Sequence, residues 1–421
     1  PGGIKAWLVE DHSVPVISIA FAFKDVGTAL DPSDKQGLVR LVSNTMDEGA
    51  GGLDSQDFQK ALRNNSIRLS FTASRDSFGG HLQTLAKNKD KASDFLKLAL
   101  TEPRFDKDPL ERMKSANIAR LRNAMSRPEW RALRLAYHQA FEEHPYAQNS
   151  GGTISGLEDV TPGDLKSYVK KHLGKDRLFI GISGDIDAEN AQEVIEKVFG
   201  QLPEKSKAPE IPDIDIQNRS LSVHHPMNVP QTHIQLWHPG ISKSDKDYPA
   251  AKILNNILGK SGFGSRLMTA AREDRGLTYG IYSNFQHFTH ADALTISTST
   301  KNENAGEMMA VITDEIDRLQ KKGITVEELE KTKSYLTGSL PLAFTSNSDI
   351  SGTLAQMQLE SLEIDYLDRF LDSIEQVKLK EVNTLLQRFP NPENFTRIFV
   401  GQPEGLELSP DTVIQDLPNA R

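Results

Sequence analysis

Arg272 and Tyr279, seven residues apart, have the residue types needed to handle a polarised carbonyl. A guanidinium presents fixed, paired donors to a carbonyl or carboxylate oxygen, and a hydrogen bond to a charged group contributes about 1.5–3 kcal/mol. A phenol donor aimed at developing negative charge can alter a rate by roughly 10²-fold, as an oxyanion-hole donor does. Spacing alone favours a plainer reading, with Arg272 ending a surface helix in a salt bridge and Tyr279 starting a strand. Histidines form three close pairs, His138/His144, His224/His225 and His287/His290. Residues three apart in a strand-like stretch face opposite ways, which separates His287 from His290. Six residues on a helix do not stack as i, i+4 would, which separates His138 from His144. His224 and His225 are adjacent where the second half of the chain opens, and all six read as surface or core histidines rather than metal ligands. Gly259-Lys260-Ser261 resembles the end of a phosphate-binding loop, but the first glycine of that motif falls on Leu254. Ser261-Gly262-Phe263-Gly264-Ser265 is not G-x-S-x-G after a strand, so a nucleophilic serine elbow is set aside.

The elements that must position these residues are written twice, with a period of about 216 residues. Val14-Pro15 opens the alternating run 16–23, and Val229-Pro230 opens 231–237 in the same way; each reads as a strand leaving its proline. Leu110-Glu111-Arg112-Met113-Lys114-Ser115 and Leu329-Glu330-Lys331-Thr332-Lys333-Ser334 begin matching helical patterns. Apolar runs at 177–182 and 397–401 close the halves as buried strands. The spacing predicts long amphipathic helices at 156–173, 188–199, 306–321 and 325–340, with strands early and late in each half, an α+β pattern without strict βαβα alternation. The Pro-rich, charged stretch from Pro203 to Pro212 suits an extended linker. The expected organisation is therefore a first domain at 1–203, a linker at 204–219 and a second domain at 220–421.

Composition narrows the function classes. A chain of 421 residues with 37% apolar residues can build two cores, and no apolar run approaches the roughly 18 residues of a membrane span. A formal net charge of -9 argues against a general nucleic-acid binder, which needs clustered basic residues. The absence of cysteine removes disulfides, cysteine-ligated zinc, iron–sulfur clusters and a thiol nucleophile, and leaves the compartment open. Pro1-Gly2-Gly3 without an initiator methionine reads as a trimmed start.

The helix at Gly37-Leu38-Val39-Arg40-Leu41-Val42-Ser43-Asn44-Thr45-Met46 resembles the zinc helix of the inverzincin peptidases, the family of pitrilysin, insulin-degrading enzyme and the mitochondrial processing peptidases. That family reads H-x-x-E-H, two histidine ligands on one helical face with the glutamate as general base. On this pattern Arg40 and Asn44 stand at the histidine positions and Ser43 at the glutamate position. Alignment anchored on Ser126-Arg127-Pro128-Glu129 puts Arg120 near the third ligand. A catalytic zinc needs three protein ligands and an open position, so no metal is expected in this chain. Asp47 and Glu48, with Arg40 on the same helix, read as a solvated charged turn.

The stretch from Gly259 to Leu267, followed by Ala271-Arg272-Glu273-Asp274-Arg275-Gly276-Leu277-Thr278-Tyr279-Gly280-Ile281-Tyr282-Ser283, is similar to the family's Gly-rich turn and its L-R-E-x-x-G-L-x-Y block, and the resemblance covers nearly all of the chain. It implies two homologous α+β domains, each a mainly antiparallel sheet packed against helices, forming half of a clamshell. It also implies that Arg272 and Tyr279 face the substrate chamber, with Gly262 and Gly264 along the channel. Zinc-side residues lost and chamber-side residues kept imply a non-catalytic, substrate-binding subunit with no cofactor of its own. Its expected partners are a homologous zinc-bearing subunit, which would hold the zinc, and unfolded peptide. A periplasmic setting is expected, with the cytoplasm as alternative. The rival is a structural or scaffolding homologue; a homodimeric enzyme with another metal arrangement has the missing ligands against it.

Overall fold

The computed structural model describes residues 3–217, 220–409 and 412–417. The first sheet is built from β1 (Ala6–Glu10), β2 (Val16–Lys24), β3 (Arg68–Ala73), β4 (Ser77–Leu85) and β5 (Leu178–Gly184), in the order β1-β5-β2-β4-β3. The second is built from β6 (Ser222–Pro226), β7 (Gln231–Pro239), β8 (Ile281–His287), β9 (Asp292–Lys301) and β10 (Thr396–Gly401), in the order β6-β10-β7-β9-β8. Strand for strand the orders are the same. The sheets are mixed: β1–β5 and β6–β10 pair parallel, and the other neighbours pair antiparallel. The parallel pair arises because the first and last strands of each half lie side by side, with the other three strands and the helices of that half between them in the chain. β2 is buried along nearly its whole length, whereas the edge strand β3 alternates exposed and buried residues, as expected for a strand with one face wet. No helix among the described residues is long and apolar enough to cross a membrane.

Six helices carry or frame the residues of interest: α1 (Leu38–Thr45), α2 (Lys107–Met125), α3 (Pro128–Phe141), α4 (Tyr248–Asn255), α5 (Val326–Ser339) and α6 (Asn347–Leu359). The single helix expected at 156–173 is two, Ile154–Asp159 and Pro162–His172. Thr161 caps the second in a reciprocal capping box with Asp164, and Pro162 at its first position cannot continue the helix before it.

The halves exchange a helix. α3 belongs by sequence to the first half but packs on β10 and β7 of the second sheet, while α6, its counterpart in the second half, packs on β5, β2 and β1 of the first. Ala132, Ala136 and Ala140, one turn apart and buried, let α3 lie close, and Tyr137 and Phe141 meet Trp237 edge-on at 5.2 and 6.3 Å between ring centroids. The α6 contact is polar. Ser18 Oγ bonds Ser351 Oγ at 2.9 Å and His81 Nε2 at 2.7 Å, Ser183 Oγ donates to Asn347 Oδ1 at 2.9 Å, and Gln358 donates to the Ile180 carbonyl at 2.8 Å. Gly181 makes this approach possible, since a methyl group there would sit 2.1 Å from the Ser351 carbonyl oxygen. Each half keeps its own core, and a third apolar cluster straddles them, joining Tyr137, Phe141 and Tyr146 to Trp237, Ala293 and Ile398. The stretch 203–217 has no helix or strand, yet it is not a free spacer, because Ile211 and Ile216 are buried in that shared cluster. Asn218 and Arg219, the end of the expected linker, lie outside the described residues.

A polar clasp lies beside the shared cluster. His290 Nδ1 meets Asp213 at 2.8 Å and its Nε2 meets Asp25 at 3.1 Å. Tyr146 Oη donates to Asp76, which also accepts from the Thr289 amide at 3.0 Å. The hydrogen bond to Asp25 and that to Asp213 raise the His290 pKa against the opposing effect of burial.

Gly181→Ala should lower stability by about 1–3 kcal/mol through overpacking. Gly352→Ala, on α6 itself with open space around it, should be neutral or stabilising by up to about 1 kcal/mol. Denaturant titration of both variants checks the exchanged contact. A histidine whose folded pKa is raised contributes stability fully below its unfolded pKa, near 6.5, and loses it as pH rises through the folded pKa. The gap in unfolding midpoint between wild type and His290→Gln should therefore be wide at about pH 6 and close toward alkaline pH; a gap that stays constant across that range would mean the clasp does not act through the charged imidazole.

Candidate functional site

α1 begins at Gly37, whose φ of 106° is left-handed, and its first amides are satisfied by a side chain from outside the helix. Asp31 accepts from the Gly37 and Val39 amides at 2.7 and 2.9 Å. Burial pushes the Asp31 carboxyl up to about 7, with those amides and Arg40 pulling it back. Leu38, Val39, Leu41, Val42 and Thr45 face the core, leaving Arg40 and Asn44, one turn apart, half-exposed on the other side. Ser43 is buried and donates to the Arg40 carbonyl at 2.8 Å.

α2 runs antiparallel along α1. Arg112 pairs with Glu48, just past the end of α1, at 2.6 Å, and Asn117 donates to Asn44 Oδ1 at 3.0 Å. Arg120 comes next and lies close enough to Arg40 to act, after burial, in lowering its pKa, with Asp31 opposing both. The structure thus gathers Arg40, Asn44 and Arg120, and adds Asn117, whose only sequence signal is its place one turn before Arg120 on the same helical face. The turn at Asp47 and Glu48 is not the solvated pairing with Arg40 expected from the sequence. Glu48 binds Arg112 and the Ser55 hydroxyl, and Asp47 is half-buried, its carboxyl raised to about 6 chiefly by burial.

This donor set does not fit zinc. Two guanidiniums, two carboxamides and a serine hydroxyl already bonded to backbone offer no imidazole and no carboxylate where a catalytic site needs three such ligands. Among the described residues no group of three or more His, Asp and Glu is arranged to hold a metal ion. The histidines of each pair have separate partners, though not for the reasons the spacing suggests, since His144 lies past the end of α3, capping a short turn at 145–147, and His290 lies past the end of β8: His224 bonds the Gly401 carbonyl and His225 the Ile414 carbonyl, and His287 meets Asp292 while His290 meets Asp25 and Asp213.

In the second half, α4 continues into a wide helical turn over 256–260, ending at the glycine stretch. Gly259 packs against Ser283, whose amide nitrogen a methyl group would meet at 2.6 Å; Gly259 and Lys260 close the helical turn and Ser261 caps it, rather than forming a phosphate cradle. Gly262 and Gly264 have φ of 69° and 82°, a region glycine enters without steric cost. Arg266 is held in a double hydrogen bond by Glu328 on α5, at 2.7 and 2.8 Å, and Arg275 donates to the Ala270 carbonyl at 2.8 Å; both are structural.

Arg272 does not end its helix in a salt bridge. Its guanidinium lies 4.4 Å from the centre of the Phe263 ring, a cation–π contact at the tip of the glycine turn. Tyr279 precedes β8 and is 87% exposed, and Phe263 is 71% exposed. The backbone around Tyr279 is fixed: Thr278 Oγ1 donates to the Ser299 carbonyl at 2.8 Å and accepts from the Gly280 amide at 3.0 Å. Tyr279 therefore presents a hydroxyl without a protein hydrogen-bond partner among the described residues, on a rigid support. Nothing in the sequence marks Phe263, a lone aromatic between two glycines with no distinctive pattern around it. Among the described residues no hydrogen bond or ion pair joins Arg272 or Tyr279 to Arg40, Asn44 or Arg120, so the two clusters are separate sites on one chain.

Residues 159–336 match the family model described as the peptidase M16 inactive domain. The chain is 26% identical over 383 residues to the "Non-peptidase homolog YmxG" of Helicobacter pylori, covering 90% of this chain and 87% of that one. It is 22% identical to the beta subunit of the mitochondrial-processing peptidase of Saccharomyces cerevisiae, over 78% of this chain and 74% of that one. The crystal structure of a peptidase M16 inactive domain from Pseudomonas fluorescens superposes with a TM-score of 0.88 at 26% identity, covering 97% of this chain and 98% of the other. With the doubled fold and the glycine turn in place, the chain is similar to the M16 peptidases, the match to their inactive-domain model covering residues 159–336.

Proposed function

We propose that this chain is the non-catalytic, substrate-binding subunit of a heterodimeric zinc metalloendopeptidase acting on unfolded peptides. The observation that carries the reading is the contrast between the two clusters. The zinc-side positions Arg40, Ser43, Asn44 and Arg120 hold no metal donor, whereas Arg272, half-buried against Phe263, and the exposed Tyr279 have donors to offer. A homologous partner would hold the zinc and its activated water. This chain's share is to seat the peptide along Gly262 and Gly264, with Arg272 holding a backbone carbonyl or carboxylate. Tyr279 Oη donates to the carbonyl oxygen as it gains negative charge. The halves, locked by their exchanged helices, form one wall of the clamshell. A periplasmic setting goes with this reading, and the cytoplasm is the alternative.

The test is cleavage of an unstructured fluorogenic peptide by this chain, by its zinc-bearing partner and by the mixture. Activity should appear only in the mixture. Tyr279→Phe should lower its turnover by roughly 10²-fold, and Arg272→Ala should lower kcat/KM by about tenfold or more, while the exposed Tyr279→Phe changes stability by no more than about 0.5 kcal/mol. Chelator-sensitive cleavage by this chain alone would overturn the reading, and a mixture indifferent to both substitutions would assign the chain a scaffolding role.

A further inference from the structure

The α1–α2 contact is a ladder of three rungs read in opposite directions along the two helices. The first, Glu48 and Arg112, is an ion pair at 2.6 Å. The second, Asn44 and Asn117, is a neutral hydrogen bond at 3.0 Å that leaves the Asn44 amide nitrogen without a partner among the described residues. The third, Arg40 and Arg120, places two positive charges together, each about one helical turn beyond the asparagine on its own helix.

Neither guanidinium of the third rung has a hydrogen bond or ion pair among the described residues. The nearest anion on the Arg40 side is Asp31, but its carboxylate oxygens face the Gly37 and Val39 amides. Its electrostatic pull on Arg40 is opposed by the push from Arg120. Like charges held together in a half-buried setting cost free energy unless a counter-charge joins them, and a guanidinium's parallel donors match the two oxygens of an oxyanion. Three sets of donors lie on successive rungs of one helix contact: half-buried Arg40, exposed Arg120 and the amide nitrogen of Asn44.

We infer that Arg40, Arg120 and Asn44 form an oxyanion-binding site, and that its ligand is a carboxylate carried by a bound peptide, either a chain terminus or an acidic side chain. The metal-binding face of a peptidase is here converted into a face for negative charge. Arg40 and Arg120 would clamp the carboxylate oxygens between the helices, with Asn44 completing the shell. The peptide assignment rests on the proposed chamber function; the oxyanion site itself does not.

The test uses the full chain without a partner. Inorganic phosphate, followed by calorimetry at low salt, should bind saturably to the wild type and at least tenfold more weakly to Arg120→Gln and to Arg40→Gln. Arg120 is exposed, so its variant should fold normally, and both variants should melt no lower than wild type because a like-charge contact is relieved. Phosphate binding that is absent, or unchanged in Arg120→Gln, would overturn the site. The second arm compares two unstructured peptides identical except for a C-terminal carboxylate or amide. The carboxylate peptide should bind about tenfold tighter to wild type, and equally with the amide to either variant. Equal binding of the two peptides to wild type, with phosphate still bound, would overturn the peptide ligand and leave a free anion. Failure of the amide peptide to bind at all would count against the chamber reading and not against the oxyanion site.

Discussion

The contact between the Ser351 carbonyl on α6 and Gly181 on β5 is the constraint on which the rest of the molecule depends. A methyl group at Gly181 would stand 2.1 Å from that oxygen, so backbone meets backbone with no side chain between. Around it a polar seam of Ser18, His81, Ser183 and Gln358 satisfies groups that would otherwise be buried without partners. The matching contact of α3 with the second sheet is apolar, built on alanines and on Tyr137 and Phe141 against Trp237. Each half therefore completes the other's packing, and hinge motion between them would expose both contacts. Interior packing is stiff enough to transmit this restraint, so the α1–α2 face and the glycine turn are held at a fixed relation without touching.

That rigidity gives meaning to the electrostatics of the two clusters. On the α1–α2 face, Arg40 and Arg120 together disfavour a cation, and the buried Asp31 anchors the helix start rather than offering itself to a ligand. At the glycine turn the Arg272 guanidinium is oriented by an aromatic face instead of an acid. A salt bridge would occupy its paired donors, whereas stacking on Phe263 leaves the guanidinium edge available to a carbonyl or carboxylate. Arg266, close in sequence, shows the contrast: its donors are taken up by Glu328 on α5.

How far the sequence could be read depends on what each pattern encodes. The duplication was legible because Val14-Pro15 and Val229-Pro230 open strands in both copies and the closing apolar runs recur, and strand order then repeats where the copies align. The break at Thr161-Pro162 was readable in principle from capping chemistry, but the apolar spacing on either side masked it. The helix exchange was not readable, because a 3.6-residue apolar pattern says that α3 and α6 bury a face and says nothing about which sheet covers it. For the same reason Ile211 and Ile216 looked like linker residues although they sit in the shared core. At the candidate sites, Arg40, Asn44 and Arg120 were placed together by analogy with a zinc helix, while Asn117 and Phe263 act through contacts across space that no local motif records.

The α1–α2 face also shows how the two helices are held to one another without a metal. Here the ladder does the tying: the Glu48–Arg112 ion pair and the Asn44–Asn117 hydrogen bond join α1 to α2 at the rungs preceding the arginines. An exposed ion pair contributes little alone, about 0–1 kcal/mol, but Glu48 is largely enclosed and also accepts from Ser55, so the first rung is better ordered than a surface pair. Helix pairing is thereby secured without the third rung, which leaves Arg40 and Arg120 free of a structural task. Two cations retained together where neither is needed for packing, and where each opposes the other, are best accounted for by an anion that joins them.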